Sequence, residues 1–314
     1  MKKVSIVGAG NVGSTLALML VLSELSEVVM VDVVQDMPKG KALDMMQMGA
    51  VFGIDIKVVG TNEYEDIKNS DVVVITAGVA RKPGMSREDL LNTNSSIMRE
   101  VVNNIIKYSP GSVVIVVSNP LDVMTYLAYK ILKDYEWDRF KVFGMAGVLD
   151  TARFKYFASN KLGLSTGNIS AMVLGSHGDT MVPILSHTNV VGIPVKDLLS
   201  KEDLDELVEK TRNGGAEIVS LLKTGSAYFA PAASVFLMLK SIILDKKSVL
   251  PVSVYCQGEY GYEDLVIGLP AVLGKNGIEK IVNISLDSWE KEELDKSANK
   301  IKTLCQELYN LKVI

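Results

Sequence analysis

The sequence predicts an α/β fold in which a doubly wound parallel sheet is followed by a mixed α+β part. Short runs of β-branched residues alternate with helical patterns over the first 143 residues, which is typical of parallel βαβ units. The predicted strands there are almost continuously apolar, as expected when helices cover both faces of a sheet. Because 314 residues are many for a single core, we predict two domains, residues 1–143 and 144–314.

The first predicted strand, Lys3–Val7, runs into a glycine turn and then a helix. Gly8, Gly10 and Gly13 follow the G-x-G-x-x-G spacing. Glycines in this pattern permit a tight turn and a close approach of the backbone to a pyrophosphate, and the helix N-terminus that follows favours an anion. A turn that needs glycine only for steric reasons would look the same.

Asp32 follows the second apolar run, Val28–Val31, nineteen residues after Gly13. At the end of a second parallel strand, a carboxylate can accept hydrogen bonds from the ribose diol of an adenosine. A solvated aspartate at a strand end is the alternative. Taken with the glycine turn, and because no arginine follows Asp32 to receive a 2′-phosphate, it indicates a Rossmann domain that binds NAD.

The remaining elements of the first part follow in order. Further strands are predicted at 57–60, 71–76, 112–117 and 141–143, and helices near 37–50, 88–108 and 120–133. Pro120 is expected in the first turn of the last of these helices. Since ligands of such sheets bind at the carboxyl ends of the strands, functional residues are expected there.

Three of these strand ends carry unusual polar residues. The loop of residues 76–87 contains glycine, proline and several cations, which suit either an anion-binding loop or an ordinary solvated one. Asn119 can offer its amide to a cofactor or substrate oxygen, or simply form an Asn-Pro turn. Asp150 and Arg153 are three residues apart on a predicted helix and so share a face, either in a site or as an exposed ion pair.

The second part has alternating and amphipathic patterns. Antiparallel strands are predicted at 168–174, 181–191, 252–255 and 266–273, and helices near 201–223 and 227–243. A last helix is expected to begin at the capping pair Asp287 and Glu290 and to bury one face. That face consists of Leu294, Ala298, Ile301, Cys305 and Leu308.

The chain contains only two histidines, His177 and His187, which narrows the choice of an acid/base near neutral pH. His177 lies in the run Gly175–Asp179, where a glycine on either side allows the backbone to bring the ring close to a ligand. We therefore interpret His177 as catalytic rather than structural. His187 lacks such a frame, and we expect it at the surface or an interface.

Composition excludes several classes of protein. A formal charge of −4 and a pI near 5.4 are unlike a nucleic-acid-binding surface. The two cysteines, Cys256 and Cys305, predict neither a disulfide framework nor a thiolate metal site and fit a reducing compartment. The apolar run of residues 16–22 is much shorter than the roughly 20 residues of a membrane span. We expect a cytoplasmic protein with no metal, no membrane and no nucleic acid as partner.

Together these motifs resemble those of the lactate/malate dehydrogenase family, and within it the malate dehydrogenases of lactate-dehydrogenase type. The resemblance extends over essentially all 314 residues, and the occurrence of its motifs in one order is highly specific. The motifs are Gly8–Gly13, Asp32, Thr76–Gly78, Arg81–Arg87, Ser118–Pro120, Asp150–Arg153 and Gly175–Asp179.

The resemblance implies reversible hydride transfer between C2 of a 2-hydroxy acid and the nicotinamide of NAD. His177 would take and return the hydroxyl proton, and Asp150 would orient the imidazole and stabilise its cation. Arg153 would clamp the C1 carboxylate through two hydrogen bonds. Arg87 would polarise the C2 oxygen, and Asn119 would bind the same oxygen or the nicotinamide ribose.

The resemblance also implies a set of cofactor contacts and a homo-oligomer, either a dimer or a tetramer. The cofactor contacts are Gly8, Gly10, Asn11, Val12, Gly13, Asp32, Thr76, Ala77, Gly78, Asn94, Val117 and Asn119.

Within the family, substrate choice depends on the loop position that Arg81 occupies here, where lactate-specific members carry an uncharged residue, commonly glutamine. An arginine would pair with the second carboxylate of malate or oxaloacetate, and a monocarboxylate would leave it unpaired at a cost of roughly 2–5 kcal/mol. Ala227, at a position that often carries threonine in lactate enzymes, leaves room for the longer diacid. The expected substrate is therefore (S)-malate.

Four other interpretations remain. A dehydrogenase for lactate or another 2-hydroxy acid is the nearest alternative. An NAD-dependent glycosidase of related fold and a non-catalytic NAD-binding module belong to different classes. The pattern Tyr126-x-x-x-Lys130 matches short-chain dehydrogenases, but it lies in a helix directly after Pro120 and follows the wrong glycine pattern, so we interpret it as a chance match.

Overall fold

The computed structural model describes residues 1–79, 87–311 and 313, and for Arg87 the backbone alone. The strands are β1 (Lys3–Val7), β2 (Glu27–Val31), β3 (Val58–Thr61), β4 (Val72–Ile75), β5 (Val113–Val116), β6 (Val142–Gly144), β7 (Ile169–Ser170), β8 (Val173–Leu174), β9 (Val182–Pro183), β10 (Asn189–Val190), β11 (Ile193–Pro194), β12 (Ser248–Gln257), β13 (Glu263–Gly274) and β14 (Gly277–Ile281). The helices are α1 (Asn11–Leu22), α2 (Met37–Phe52), α3 (Arg87–Tyr108), α4 (Leu121–Lys133), α5 (Gly147–Leu162), α6 (Val195–Leu198), α7 (Lys201–Leu222), α8 (Phe229–Ile243) and α9 (Ser288–Asn310). Short 3₁₀ turns occur at Tyr64–Ile67, Arg139–Lys141, Thr166–Asn168 and Glu259–Gly261.

The first part forms the predicted doubly wound parallel sheet, with strand order β3-β2-β1-β4-β5-β6. β1 pairs in parallel with β2 on one side and with β4 on the other. Because the winding reverses between β1 and β4, a crevice opens at the carboxyl ends of these two strands. The glycine turn that follows β1 therefore lies at the expected binding site.

The sheet does not stop at the end of the first part. β12 pairs antiparallel with β6, with Ser253 opposite Gly144, and β13 and β14 extend the sheet further. The sequence predicted antiparallel strands in the second part but not that they would join the parallel sheet. The domain boundary at residues 143 and 144 stays a prediction, and it falls inside β6.

The stretches 168–174 and 181–191 were predicted as strands, and the structure corrects this. Each stretch contains only two-residue strands, β7 and β8 in the first and β9 and β10 in the second. β8 ends at Leu174 because residues 175–181 leave this ladder and bond with other elements. Gly175, for example, exchanges backbone hydrogen bonds with Gly268 on β13.

The helix ends follow from local chemistry. α4 begins at Leu121, so Pro120 occupies the N-cap and not the first turn, which corrects the prediction by one position. At the start of α9 the predicted capping pair is confirmed, because Asp287 and Glu290 each accept the other's backbone N–H. The predicted apolar face of α9 is also confirmed as buried.

The helices pack on both faces of the sheet, and α1 also packs against α8. A second, smaller cluster of buried side chains joins α5 and α7 to the short strands β7–β10 and consists of Phe154, Ala158, Ile169, Val173, Met181, Val190 and Leu207. It fixes α5, which carries Asp150 and Arg153, against α7 and the short strands. Within the parts of the chain that the structure describes, every helix is too short or too polar to span a bilayer.

Candidate active site

His177 and Asp150, 27 residues apart in sequence, form a hydrogen-bonded pair. His177 lies between β8 and β9, and its Nδ1 is 3.0 Å from Oδ2 of Asp150 in the first turn of α5. The Asp150 side chain is 2% exposed and that of His177 is 16% exposed. The carboxylate is thus shielded from water, while the ring stays open to a small molecule.

Opposing effects set the pKa of His177. Burial lowers it, but the charge and hydrogen bond of Asp150 raise it more, so the net pKa lies above the usual value. Arg153 lowers it slightly and Asp122 raises it slightly. An imidazole in this environment can hold a proton near neutral pH and release it to a reacting oxygen.

Arg153 completes a triad with these two residues. Its Nη1 donates to Oδ1 of Asp150 at 3.2 Å, three residues earlier on α5. Its Nε is buried and has no hydrogen-bond partner among the described residues. A largely desolvated guanidinium with a free donor is suited to binding a carboxylate. A cavity of about 790 Å³ between α5 and α7 is lined in part by Arg153 but not by His177.

The loop that carries His177, Gly175–Met181, is called here the histidine loop. Its backbone is held by side chains from two helices. The His177 N–H donates to Oδ2 of Asp122 on α4 at 2.9 Å, and the Ser176 N–H donates to Oγ of Ser297 on α9 at 2.7 Å. Gly175 also exchanges backbone hydrogen bonds with Gly268 on β13. The loop is therefore bonded to three elements, α4, α9 and β13, which together position the His177 ring.

Asp122 is a buried carboxylate that the sequence analysis did not select. Its side chain accepts a hydrogen bond from the Ser253 hydroxyl at 2.7 Å in addition to the His177 N–H. Burial raises the pKa of Asp122 to about 6, although both hydrogen bonds oppose this shift. The available signal was a single carboxylate in the otherwise uncharged first two turns of α4.

The glycine turn after β1 has the shape that a pyrophosphate requires. A Cβ on Gly13 would lie 1.9 Å from the Gly8 carbonyl oxygen, so only glycine lets α1 pack this closely on β1. Gly8 adopts φ +107°, a conformation that favours glycine. A Cβ on Gly10 would meet nothing within 4 Å, and no side chain caps α1 there. Since no side chain caps them, the N–H groups at the start of α1 stay available to an anion.

Asp32 and Lys41 both form hydrogen bonds with the backbone of this turn. Oδ2 of Asp32 accepts the Ala9 N–H at 2.7 Å, and Nζ of Lys41 donates to the Ala9 carbonyl at 2.6 Å. Asp32 also lines a cavity of about 250 Å³. Other lining residues of this cavity are Gly8, Gly10, Tyr64, Thr76, Ala77, Gly78 and Glu100. The cavity and the helix end together fit the adenosine and pyrophosphate of a dinucleotide.

The comparisons with known proteins agree with this geometry. A family model for the lactate/malate dehydrogenase NAD binding domain matches residues 2–144, and one for the lactate/malate dehydrogenase alpha/beta C-terminal domain matches residues 147–311. The chain belongs to the lactate/malate dehydrogenase family.

Individual relatives cover almost the whole chain. A malate dehydrogenase from Methanosarcina mazei is 52% identical over 302 residues, which are 96% of this chain and 97% of the relative. The crystal structure of the Cryptosporidium parvum malate dehydrogenase superposes with a TM-score of 0.94 at 44% identity, covering 98% and 99% of the two chains. The lactate dehydrogenase of the same organism, complexed with lactic acid and NAD, has a TM-score of 0.94 at 39% identity and covers 98% of each chain.

As a lactate/malate dehydrogenase, the chain binds NAD through its first part. Of the predicted contacts, Gly8, Gly10, Asp32 and Thr76–Gly78 line one cavity. Asn11, Val12 and Gly13 open α1 beside it. Val117 is partly buried just after β5, and Asn119 is exposed at the same sheet edge. Their individual roles in this family member stay predictions.

Asn94 has hydrogen bonds that the sequence did not indicate. Its side-chain oxygen accepts the Val79 N–H at 2.8 Å, and its amide nitrogen donates to the carbonyls of Val79 and Asn119. Both amide hydrogens therefore bind backbone, so that Asn94 joins the ends of two strands beside the cofactor crevice. A direct contact with NAD stays a prediction.

Two predicted substrate residues cannot be placed. Arg81 lies outside the described residues, and Arg87 is described only as the first residue of α3. The clamp on a second carboxylate and the polarisation of the C2 oxygen therefore stay predictions. Ala227 is half-buried in the turn before α8, and Ala230 beyond it lines the same cavity as Arg153.

The other motifs lie apart from this site. His187 is exposed, as expected, and its Nδ1 is 2.8 Å from the hydroxyl of neighbouring Ser186. Tyr126 is buried and hydrogen bonds to Asp264 and Tyr309. Among the described residues, no group of three or more His, Cys, Asp or Glu side chains is arranged to hold a metal ion.

Proposed function

We propose that this chain is an NAD-dependent malate dehydrogenase that interconverts (S)-malate and oxaloacetate. The observation that carries the proposal is the triad of His177, Asp150 and Arg153 within one chain whose sheet presents a dinucleotide crevice. The 52% identity to a malate dehydrogenase over nearly the full length supports the substrate assignment.

NAD supplies the hydride acceptor of the reaction. Asp150 holds Nδ1 of His177, which leaves Nε2 to take the proton of the C2 hydroxyl as malate is oxidised. The buried charge of Asp150 stabilises the imidazolium that results. In the reverse direction the same nitrogen returns the proton to the C2 oxygen of oxaloacetate.

Arg153 orients the substrate. Its side chain is 14% exposed and keeps donors that Asp150 does not use. A C1 carboxylate can bind there through parallel hydrogen bonds, which fix its orientation as well as its position. C2 is then held beside His177 because Asp150 contacts both side chains.

A monocarboxylate dehydrogenase is the second candidate. It is favoured by the similarity to a lactate dehydrogenase complexed with lactic acid and NAD. The residue that separates the two candidates is Arg81, which would pair with the second carboxylate of malate and is left unpaired by lactate.

Initial rates with oxaloacetate and pyruvate test the proposal, followed by loss of NADH absorbance. We expect oxaloacetate to be preferred by at least a hundredfold, and Arg81→Gln to reduce this preference by tens-fold or more, because an unpaired buried charge costs a few kcal/mol. Lys82→Gln, which removes the neighbouring charge, is the matched control. A wild-type preference for pyruvate, or an unchanged preference in Arg81→Gln, would contradict the assignment.

The proposal extends to a cytoplasmic homo-oligomer, a dimer or a tetramer, acting in the tricarboxylic acid cycle. Exposed apolar side chains on α2, namely Leu43, Met46, Val51 and Phe52, support a contact between subunits. Light scattering during size-exclusion chromatography measures the assembly directly, and a monomer at micromolar concentration would refute it.

A further inference from the structure

Two adjacent glycines, Gly214 and Gly215, lie inside the long helix α7. Glycine in a helix interior is unfavourable relative to alanine, because its backbone loses more freedom on folding. α7 is otherwise a well-specified helix that begins with a capping box at Ser200 and Asp203. A pair of glycines in such a helix therefore needs a reason in what packs against it.

The glycines face Arg153 on α5. A Cβ on Gly215 would lie 3.2 Å from Nη2, 3.4 Å from Nη1 and 3.5 Å from Cζ of Arg153. A Cβ on Gly214 would lie 3.3 Å from Cε2 of Phe157 and 3.5 Å from Cδ of Arg153. The shortest of these distances, 3.2 Å and 3.3 Å, are tighter than most Cβ contacts, so the neighbouring atoms would have to shift by a few tenths of an ångström. The guanidinium thus packs closely against residue 215 because that residue has no side chain.

α7 cannot easily move away to make room for a methyl group. One turn before Gly215, Nε of Arg212 donates to the Met181 carbonyl at 3.1 Å, and its Nη2 pairs with Glu293 on α9 at 2.9 Å. Met181 ends the histidine loop, and α9 supplies Ser297 to the same loop. An added Cβ at position 215 would consequently displace the guanidinium.

A displaced guanidinium would disturb the triad. Arg153 is joined to Asp150 at 3.2 Å, and Asp150 is joined to His177 at 3.0 Å. Shifting Arg153 by a few tenths of an ångström moves the donors that would meet the C1 carboxylate of the substrate and strains the contact with Asp150.

We propose that Gly215, with Gly214 beside it, is a positioning residue that sets where the Arg153 guanidinium meets the carboxylate of the 2-oxoacid substrate. The inference rests on the proposed function. Because residue 215 has no side chain, α5 and α7 lie close together. The Arg153 guanidinium then lies where it can bond to both Asp150 and the substrate carboxylate. The two glycines make α7 less stable than alanines at these positions would.

Gly215→Ala separates this role from a structural one, because the two roles predict opposite changes. Alanine strengthens the helix, so we expect a thermal midpoint equal to or above that of wild type. We expect the KM for oxaloacetate to rise about tenfold or more, since a misplaced carboxylate clamp weakens binding and alignment. The KM for NADH should stay unchanged.

Gly40→Ala is the matched control. Gly40 lies inside α2, is exposed, and a Cβ there would meet nothing within 4 Å. It should share the gain in helix stability and keep wild-type kinetics. Gly214→Ala should have a smaller effect than Gly215→Ala, since its nearest contact is Phe157 and not the guanidinium.

A double-mutant cycle completes the test. In Arg153→Lys no guanidinium faces position 215, so adding Gly215→Ala should leave the KM for oxaloacetate within twofold of the Arg153→Lys value. Additive effects, an unchanged KM in Gly215→Ala, or a lowered thermal midpoint in that variant would overturn the inference. Failure of the wild-type protein to reduce oxaloacetate would instead refute the proposed function.

Discussion

The cofactor crevice and the histidine loop lie at the same edge of the sheet but are built in different ways. The glycine turn of the crevice is held by a residue nearby in the chain, since Asp32 bonds to the turn that begins 24 residues earlier at Gly8. The histidine loop is held by Asp122, Ser297 and Gly268, which are 55, 121 and 93 residues away from their partners. The glycine turn is therefore held by a local contact, whereas the backbone of the histidine loop is held by distant parts of the chain.

The largest effect is expected from a substitution of Asp150, the hydrogen-bond partner of His177. In Asp150→Asn the charge that raises the pKa of His177 is lost, while burial and Arg153 still lower it. We expect kcat for oxaloacetate reduction to fall about a hundredfold, since the imidazole loses its orientation and proton affinity. NADH binding, which depends on the other region, should be retained in a fluorescence titration.

The pH dependence of the two reaction rates shows in which direction the pKa of His177 shifts when the Asp150 charge is lost. Reduction requires protonated His177, so in wild type it should decline only above the raised pKa of this residue, and malate oxidation should rise over the same range. In Asp150→Asn both limbs should move to lower pH. Limbs that stay in place would show that another group donates the proton.

A smaller effect is expected at Asp122, which accepts a hydrogen bond from the backbone of the histidine loop. Asp122→Asn keeps the shape but removes the charge that accepts the His177 N–H and the Ser253 hydroxyl. Burial disfavours this charge more than the two hydrogen bonds favour it, because the pKa of Asp122 is raised, so we expect the free energy of unfolding in guanidinium chloride to change by less than about 1.5 kcal/mol. We also expect a roughly tenfold fall in kcat, since misplacing an acid/base slows the reaction.

Ser241→Ala serves as the control for Asp122→Asn. It removes a buried hydroxyl that bonds to the Leu273 carbonyl on β13, outside the histidine loop. It should lower stability without changing the pH dependence of kcat. If Asp122→Asn changed stability alone, in the manner of this control, Asp122 would have no part in positioning His177.

The smallest effect is expected on the cofactor side, at Lys41. Lys41→Met removes the ammonium that holds the Ala9 carbonyl. Because Asp32 still holds the Ala9 N–H, we expect only a two- to fivefold rise in the KM for NADH, as for a partly exposed charged hydrogen bond. kcat should not change. A fall in kcat without a change in this KM would mean that the two regions are coupled.

Local patterns explain why so much of the fold could be predicted. Nearly continuous apolar runs marked β1, β2, β4 and β5, and the pair Asp287 and Glu290 marked the start of α9 within one turn of chain. The strands at 168–174 and 181–191 were predicted too long because alternation does not show where a loop leaves the ladder to bind other elements. That departure depends on Gly268 and Ser297, which are far away in sequence.

The sequence by itself determined the glycine turn, the aspartate that follows β2 and the residue types of the triad, because each of these depends on a chemical group at a short spacing. Only the tertiary structure decided that β12–β14 extend the parallel sheet, that Asp122 is buried behind His177, and that two glycines of α7 make room for Arg153. The reason is physical. Burial and close contact between distant segments depend on how whole elements pack. The spacing of residues along the chain does not reveal that packing.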